Sequence, residues 1–153
     1  MKLFFILGNQ LFPLKFLDAF KKNHQFFMAE DYNLCTYEKH HKQKILLFLS
    51  SMRSYSDRLK NNKYELNYIK IEDKDFKDDY FKKLKKIIIK KKITQITSFE
   101  VEDKPFEKKI FQFLSKEKIP WNIIQTPMFL NSRNDFKDYL AKTKKPLIAT
   151  FYK

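Results

Sequence analysis

Glycine is almost missing: Gly8 is the single one in 153 residues. Phosphate-cradling loops of the G-x-G-x-x-G or Walker type need several glycines, so neither is present. Cysteine is as scarce. Cys35 stands alone, which excludes an internal disulfide and a multi-cysteine metal cluster within the chain. Long apolar runs are missing too. Leu3–Leu7 and Ile45–Leu49 are five residues each, against the ~20 that a membrane-spanning helix requires. The first of them imitates a signal peptide, then meets Gly8-Asn9-Gln10 with no small-residue cleavage site. These absences point to a cytosolic chain.

What remains is a folding sequence. Residues of apolar type make up 43% and aromatic ones 17%, enough for one ordinary domain over residues 1–153 and too much for a disordered basic tail. Lysine and arginine total 32 against 18 acidic residues, a net charge of +14. Only Arg53, Arg58 and Arg133 are arginines. A lysine excess beside abundant Phe, Tyr, Ile and Asn is what an AT-rich coding sequence produces. The charge nevertheless favours weak, salt-sensitive binding to nucleic acid.

Along the chain, short apolar runs alternate with longer amphipathic ones. Leu3–Leu7 reads as a buried strand stopped by Gly8. Leu11–Lys22 has Leu14, Leu17 and Phe20 at helical spacing, with Pro13 shortening the start. Gln25–Ala29 reads as a second strand. Thr36–Leu59 reads as one long helix, its apolar stripe running through Ile45, Phe48, Met52, Tyr55 and Leu59. Tyr64–Ile71 alternates as a strand does. Asp75–Lys91 puts Phe76, Tyr80, Leu84 and Ile88 on one helical face, with Lys82, Lys83, Lys85 and Lys86 turned away. Ile93–Phe99 is a strand, Lys104–Lys118 a helix with Pro105 in its first turn, and Pro120–Gln125 a strand. Ser132 caps a final helix, Arg133–Lys142.

Strands separated by helices of this length imply right-handed βαβ units. The fold class is therefore α/β: a doubly wound, mostly parallel five-stranded sheet with helices on both faces, of Rossmann-like or flavodoxin-like order. In such sheets ligands sit beyond the strand carboxyl ends, where the strand order reverses. With the order 3-2-1-4-5 that crevice opens between the first and fourth strands. Gly8, Asn9 and Gln10 would line it from one side and Glu100 to Glu102 from the other, with Glu30, Asp31 and Tyr32 next door. The side chains suit a flat heteroaromatic ligand better than a polyphosphate: Asn9 and Gln10 donate and accept, and Glu30 and Glu100 accept. Equally, Gly8-Asn9 could be only a tight strand-to-helix turn.

Other polar clusters carry less. His40 and His41 diverge by about 100° on a helix and cannot grip one metal ion together. With Lys42 and Lys44 they form either a solvated helix start or a contact for a phosphate or a partner domain. Cys35 lacks a thiolate-stabilising motif, and Ser50-Ser51 lacks a nucleophile elbow. Glu100 and Glu102 at i, i+2 suit ligand hydrogen bonds more than acid–base work. No catalytic constellation and no metal site emerges.

Several stretches together resemble a known family. They are Ile6–Pro13 (ILGNQLFP), Phe27–Tyr55 with its MAED and HHKQK segments, Pro127–Leu130 followed by Ser132-Arg133, and Phe151-Tyr152-Lys153. In order and spacing they resemble the N-terminal domain of the iron–sulfur bacterial cryptochrome and photolyase group. The resemblance implies an α/β domain followed by a helical domain that holds FAD and a four-cysteine iron–sulfur cluster, and that repairs UV-damaged DNA or senses blue light. It also implies an antenna pigment of lumazine type on the α/β domain, carried here by Gly8, Asn9, Gln10, Glu30, Leu34, Thr36, Phe48 and Glu100. Many relatives have Asp where this chain has Asn9, and some a carboxylate where it has Leu34. The chain reads as the front portion of such a protein, without its FAD-binding partner domain. Three functions follow: an antenna module, a basic nucleic-acid-associated domain without pigment, or a truncated remnant.

Overall fold

A computed structural model describes residues 1–152. Its centre is a five-stranded, all-parallel sheet: β1 (Lys2–Phe5), β2 (His24–Ala29), β3 (Leu66–Ile69), β4 (Gln95–Phe99) and β5 (Trp121–Ile124), in the order β3-β2-β1-β4-β5. The doubly wound α/β expectation holds, and so does the reversal between β1 and β4.

Alternation along the central strands divides two cores. Leu3 and Phe5 face one side with Phe27 and Ile96, beneath α3 (Tyr80–Lys91) and α4 (Lys104–Lys116). Phe4 and Ile6 face the other with Phe26, Met28 and Phe99, beneath α2 (Lys42–Asn61), which contributes Met52, Tyr55 and Leu59. A strand buried on both faces needs an unbroken apolar run, and Leu3–Leu7 supplies it.

Four expectations need correction. Leu11–Lys22 forms two 3-10 turns, Leu14–Phe16 and Asp18–Phe20, instead of a helix. Pro13 starts the first turn, and tight turns let Leu14, Leu17 and Phe20 all reach the α2-side core. The long helix is broken: α1 (Tyr32–Thr36) precedes an irregular stretch, and His41 caps α2 by accepting from Gln43 N at 3.2 Å. Helix α3 begins at Tyr80 rather than Asp75, because Asp79 caps it and the Asp75 and Asp78 carboxylates turn back to Lys86 at 2.6 and 2.7 Å. Finally, Lys83 is not turned away but fully buried. Helix α5 (Arg133–Lys142) carries the expected Ser132 cap in a full capping box with Asp135, and a short α6 (Ile148–Phe151) follows. No described helix is long and apolar enough to cross a membrane.

Candidate functional site at the strand carboxyl ends

Parallel pairing brings the carboxyl ends of all five strands to one rim. Between β1 and β4 the crevice is closed, not open. Gln10 is fully buried and its Nε2 donates to Glu100 O at 2.7 Å and to both Glu102 carboxylate oxygens at 3.1 and 3.2 Å. Asn9 Nδ2 reaches Glu102 Oε2 at 3.2 Å. Glu100 accepts from Thr126 N at 3.1 Å and faces Arg133 Nε at 3.6 Å. These side chains lace the switch point together. One acceptor stays free: Gln10 Oε1 is buried and receives no hydrogen bond.

Glu30 is also committed. Arg53 grips it in a two-toothed pair at 2.8 and 3.0 Å, Tyr68 OH donates at 2.7 Å and Ile71 N at 2.6 Å. Burial pushes this carboxyl up, but the Arg53, Tyr68 and Ile71 donors outweigh it and hold it below its ordinary value. Burial and the Glu30 carboxylate push the Tyr68 phenol up in turn. Next to it, Lys83 Nζ donates to Glu30 O at 3.1 Å and Asp31 Oδ1 at 3.3 Å.

One cleft lies on the α2 side, displaced from the β1–β4 switch point. Leu34 and Cys35 on α1, Tyr37 and His40 in the break, and Lys44, Ile45 and Phe48 on α2 line a cleft of about 190 Å³. The break in the helix creates it, because two helical pieces meeting at an angle leave a gap that one straight helix would not. Phe48 is its link to β1. A Cβ on Gly8 would fall 2.4 Å from Phe48 Cζ and 2.8 Å from Met52 Sδ, so a side chain at this position would have to push both aside. The cleft mixes aromatic and aliphatic walls with His40 and Lys44. Burial first, then the Asp31 and Glu30 carboxylates, push the Cys35 thiol up, away from nucleophilic use.

Of the residues singled out from the sequence, Leu34, Phe48, His40 and Lys44 come together in this cleft, and Gly8 lies under Phe48. Asn9, Gln10 and Glu100 form the neighbouring hydrogen-bonded rim. Glu30 belongs to a separate ion-pair cluster. Thr36 donates to Tyr32 O at 2.9 Å within its own helix, His41 is spent as a cap, and Lys42 is exposed. Sequence reasoning missed Arg53, Tyr68 and Lys83. Arg53 follows Met52 in the apolar stripe and Lys83 follows Tyr80 by three residues, a spacing that placed both at the margin of a buried face. Among the described residues, no group of three or more His, Cys, Asp or Glu is positioned to hold a metal ion.

The family model for deoxyribodipyrimidine photo-lyase-related proteins matches residues 4–153, nearly the full length. The chain belongs to that family. A "(6-4) photolyase" from Agrobacterium fabrum (strain C58 / ATCC 33970) is 27% identical over 154 residues, covering 99% of this chain and 30% of the relative. This photo-lyase-related chain thus spans under a third of that relative's length.

Proposed function

We propose that this domain binds a flat heteroaromatic antenna pigment of lumazine type, as the N-terminal unit of a protein of the iron–sulfur bacterial cryptochrome and photolyase group. The observation that carries the reading is the cleft between α1 and α2, with Phe48 lying over Gly8 at the end of β1. A ring entering there would stack on Phe48 or take its place. Carboxylates at Glu30, Asp31, Glu100 and Glu102 crowd the adjoining rim and make it a poor host for polyphosphate.

In this reading the pigment supplies near-UV and blue absorption and passes excitation onward, while the chain's own residues bind, orient and shield it. The four-cysteine iron–sulfur cluster does not fit this chain: its single thiol, Cys35, can offer one cluster ligand where four are needed. In this reading the cluster and FAD sit on a helical partner domain, which would also contact damaged DNA. Exposed apolar side chains give such a partner something to cover: Leu130 is 99% exposed and Ile148 80%, with Phe129 and Leu147 exposed beside them in sequence.

Equilibrium dialysis against a ribityllumazine tests the pigment directly. Binding with a shifted near-UV band, weakened by Phe48→Ala, is the expected result. A chain that leaves the pigment evenly distributed across the membrane would refute the reading.

A further inference from the structure

We infer that the end of the domain opposite the rim is a surface for the phosphate backbone of a nucleic acid, a reading independent of the pigment. In this parallel sheet the strand amino ends share one end with the finishing turns of α2, α3 and α4. The segments gathered there are residues 1–2, 18–24, 60–65, 90–95 and 115–120. They contain ten lysines and three carboxylates. At the rim, Glu30-Asp31 and the connections 70–79 and 100–103 contain ten carboxylates and three lysines. The openings of α2, with Lys39, Lys42 and Lys44, and of α4, with Lys104, Lys108 and Lys109, add basic residues on the rim side. The basal segments are thus strongly basic, and the connections that leave the strand carboxyl ends are acidic.

Among the described residues, none of those ten lysines joins an ion pair, so their charge is uncompensated. All but Lys21 and Lys91 are exposed. Codon bias adds lysine wherever a surface position tolerates it and does not sort it to one end. The helix macrodipole accounts for cations in last turns, such as Lys60, Lys90 and Lys116. It does not account for Lys2, which opens β1, or Lys22, which precedes β2. Nor does it account for Lys63, Lys92 and Lys118, which hold left-handed backbones at φ 59°, 49° and 57° where Gly or Asn is usual.

The chemistry of the patch selects the partner. Compact ammonium groups without arginine forks suit phosphate oxygens and not base edges. In those segments Met1 is the exposed large apolar side chain, too little to anchor the patch in a lipid interface. The acidic rim repels the same polyanion, so a duplex settles on the basal end and leaves the cleft clear.

Fluorescence anisotropy with a 20-base-pair duplex across 50–200 mM KCl reads this out. The wild-type chain is expected to lose affinity on the order of 10²-fold over that range, a log–log slope near −4 at ~0.9 per phosphate. The variant K63N/K92N/K118N removes three charges and installs a residue that tolerates left-handed backbone, so its fold is retained and a thermal melt verifies it. Its slope should be shallower by about 2–3 and its affinity at 50 mM on the order of tenfold lower. The charge-matched rim variant K39N/K74N/K77N should bind as wild type does. The inference is overturned if the two variants behave alike, or if phosphatidylserine vesicles capture the chain while the duplex does not.

Discussion

Phe48 lies across Gly8 so closely that a methyl group on residue 8 would sit 2.4 Å from its ring edge. The contact ties the cleft wall to the end of β1. Gly8→Ala should therefore push Phe48 out and cost about 1–3 kcal/mol, as overpacking does. Urea midpoints check this, and Gly8→Ala/Phe48→Ala should regain part of the loss because the colliding ring is gone. Equal midpoints for wild type and Gly8→Ala would show that Phe48 yields freely.

Glu30 makes the fold acid-sensitive. Its carboxyl titrates below the ordinary value in the folded chain, so the unfolded chain binds the proton first. The stabilisation is complete above the ordinary carboxylate range near pH ~4.3 and fades as pH falls through the folded value. Glu30→Gln should flatten the decline in stability below about pH 4.3. Fluorescence of Trp121, the one tryptophan, whose Nε1 donates to buried Ser98 at 2.9 Å, can follow the acid titration.

Lys83→Met removes the ammonium from Glu30 O and Asp31 while keeping the side-chain length. Asp31 is left beside a buried apolar group, at an expected cost of about 1–3 kcal/mol. Adding Asp31→Asn should recover much of that. If the single variant melts at the wild-type temperature, the buried pair contributes nothing net.

The three left-handed lysines offer gains. Lys63→Gly, Lys92→Gly and Lys118→Gly each relieve a Cβ clash at a helix exit and should stabilise by up to about 1 kcal/mol. Differential scanning calorimetry of the triple variant should show a higher midpoint.

The sheet was legible because Leu3–Leu7 and Phe26–Ala29 are apolar runs buried on both faces, Ile96, Thr97 and Phe99 make β4 a run of strand formers, and their spacing by amphipathic segments dictates parallel order. The helix break at residues 37–41 was not, since Tyr37 and His40 fit the helical stripe and only the His41 cap, a contact made in the fold, ends the continuity. The closed switch point was equally hidden. Asn9 and Gln10 were read as ligand donors, but Glu102, 92 residues beyond Gln10, captures both through the β1–β4 pairing. The helical pattern puts Lys83 with Lys82, Lys85 and Lys86 away from the apolar face, whereas its i+3 relation to Tyr80 brings it to the carbonyl end of β2.

The uncovered side chains at Leu130 and Ile148 have a colloidal consequence. Copies of this chain are held apart chiefly by their like charge, and at 1 M salt that repulsion reaches only ~3 Å. Sulfate strengthens apolar burial at the same time. Concentrated solutions should stay clear when dilute in electrolyte and cloud as ammonium sulfate is added, with molecules meeting through these uncovered side chains.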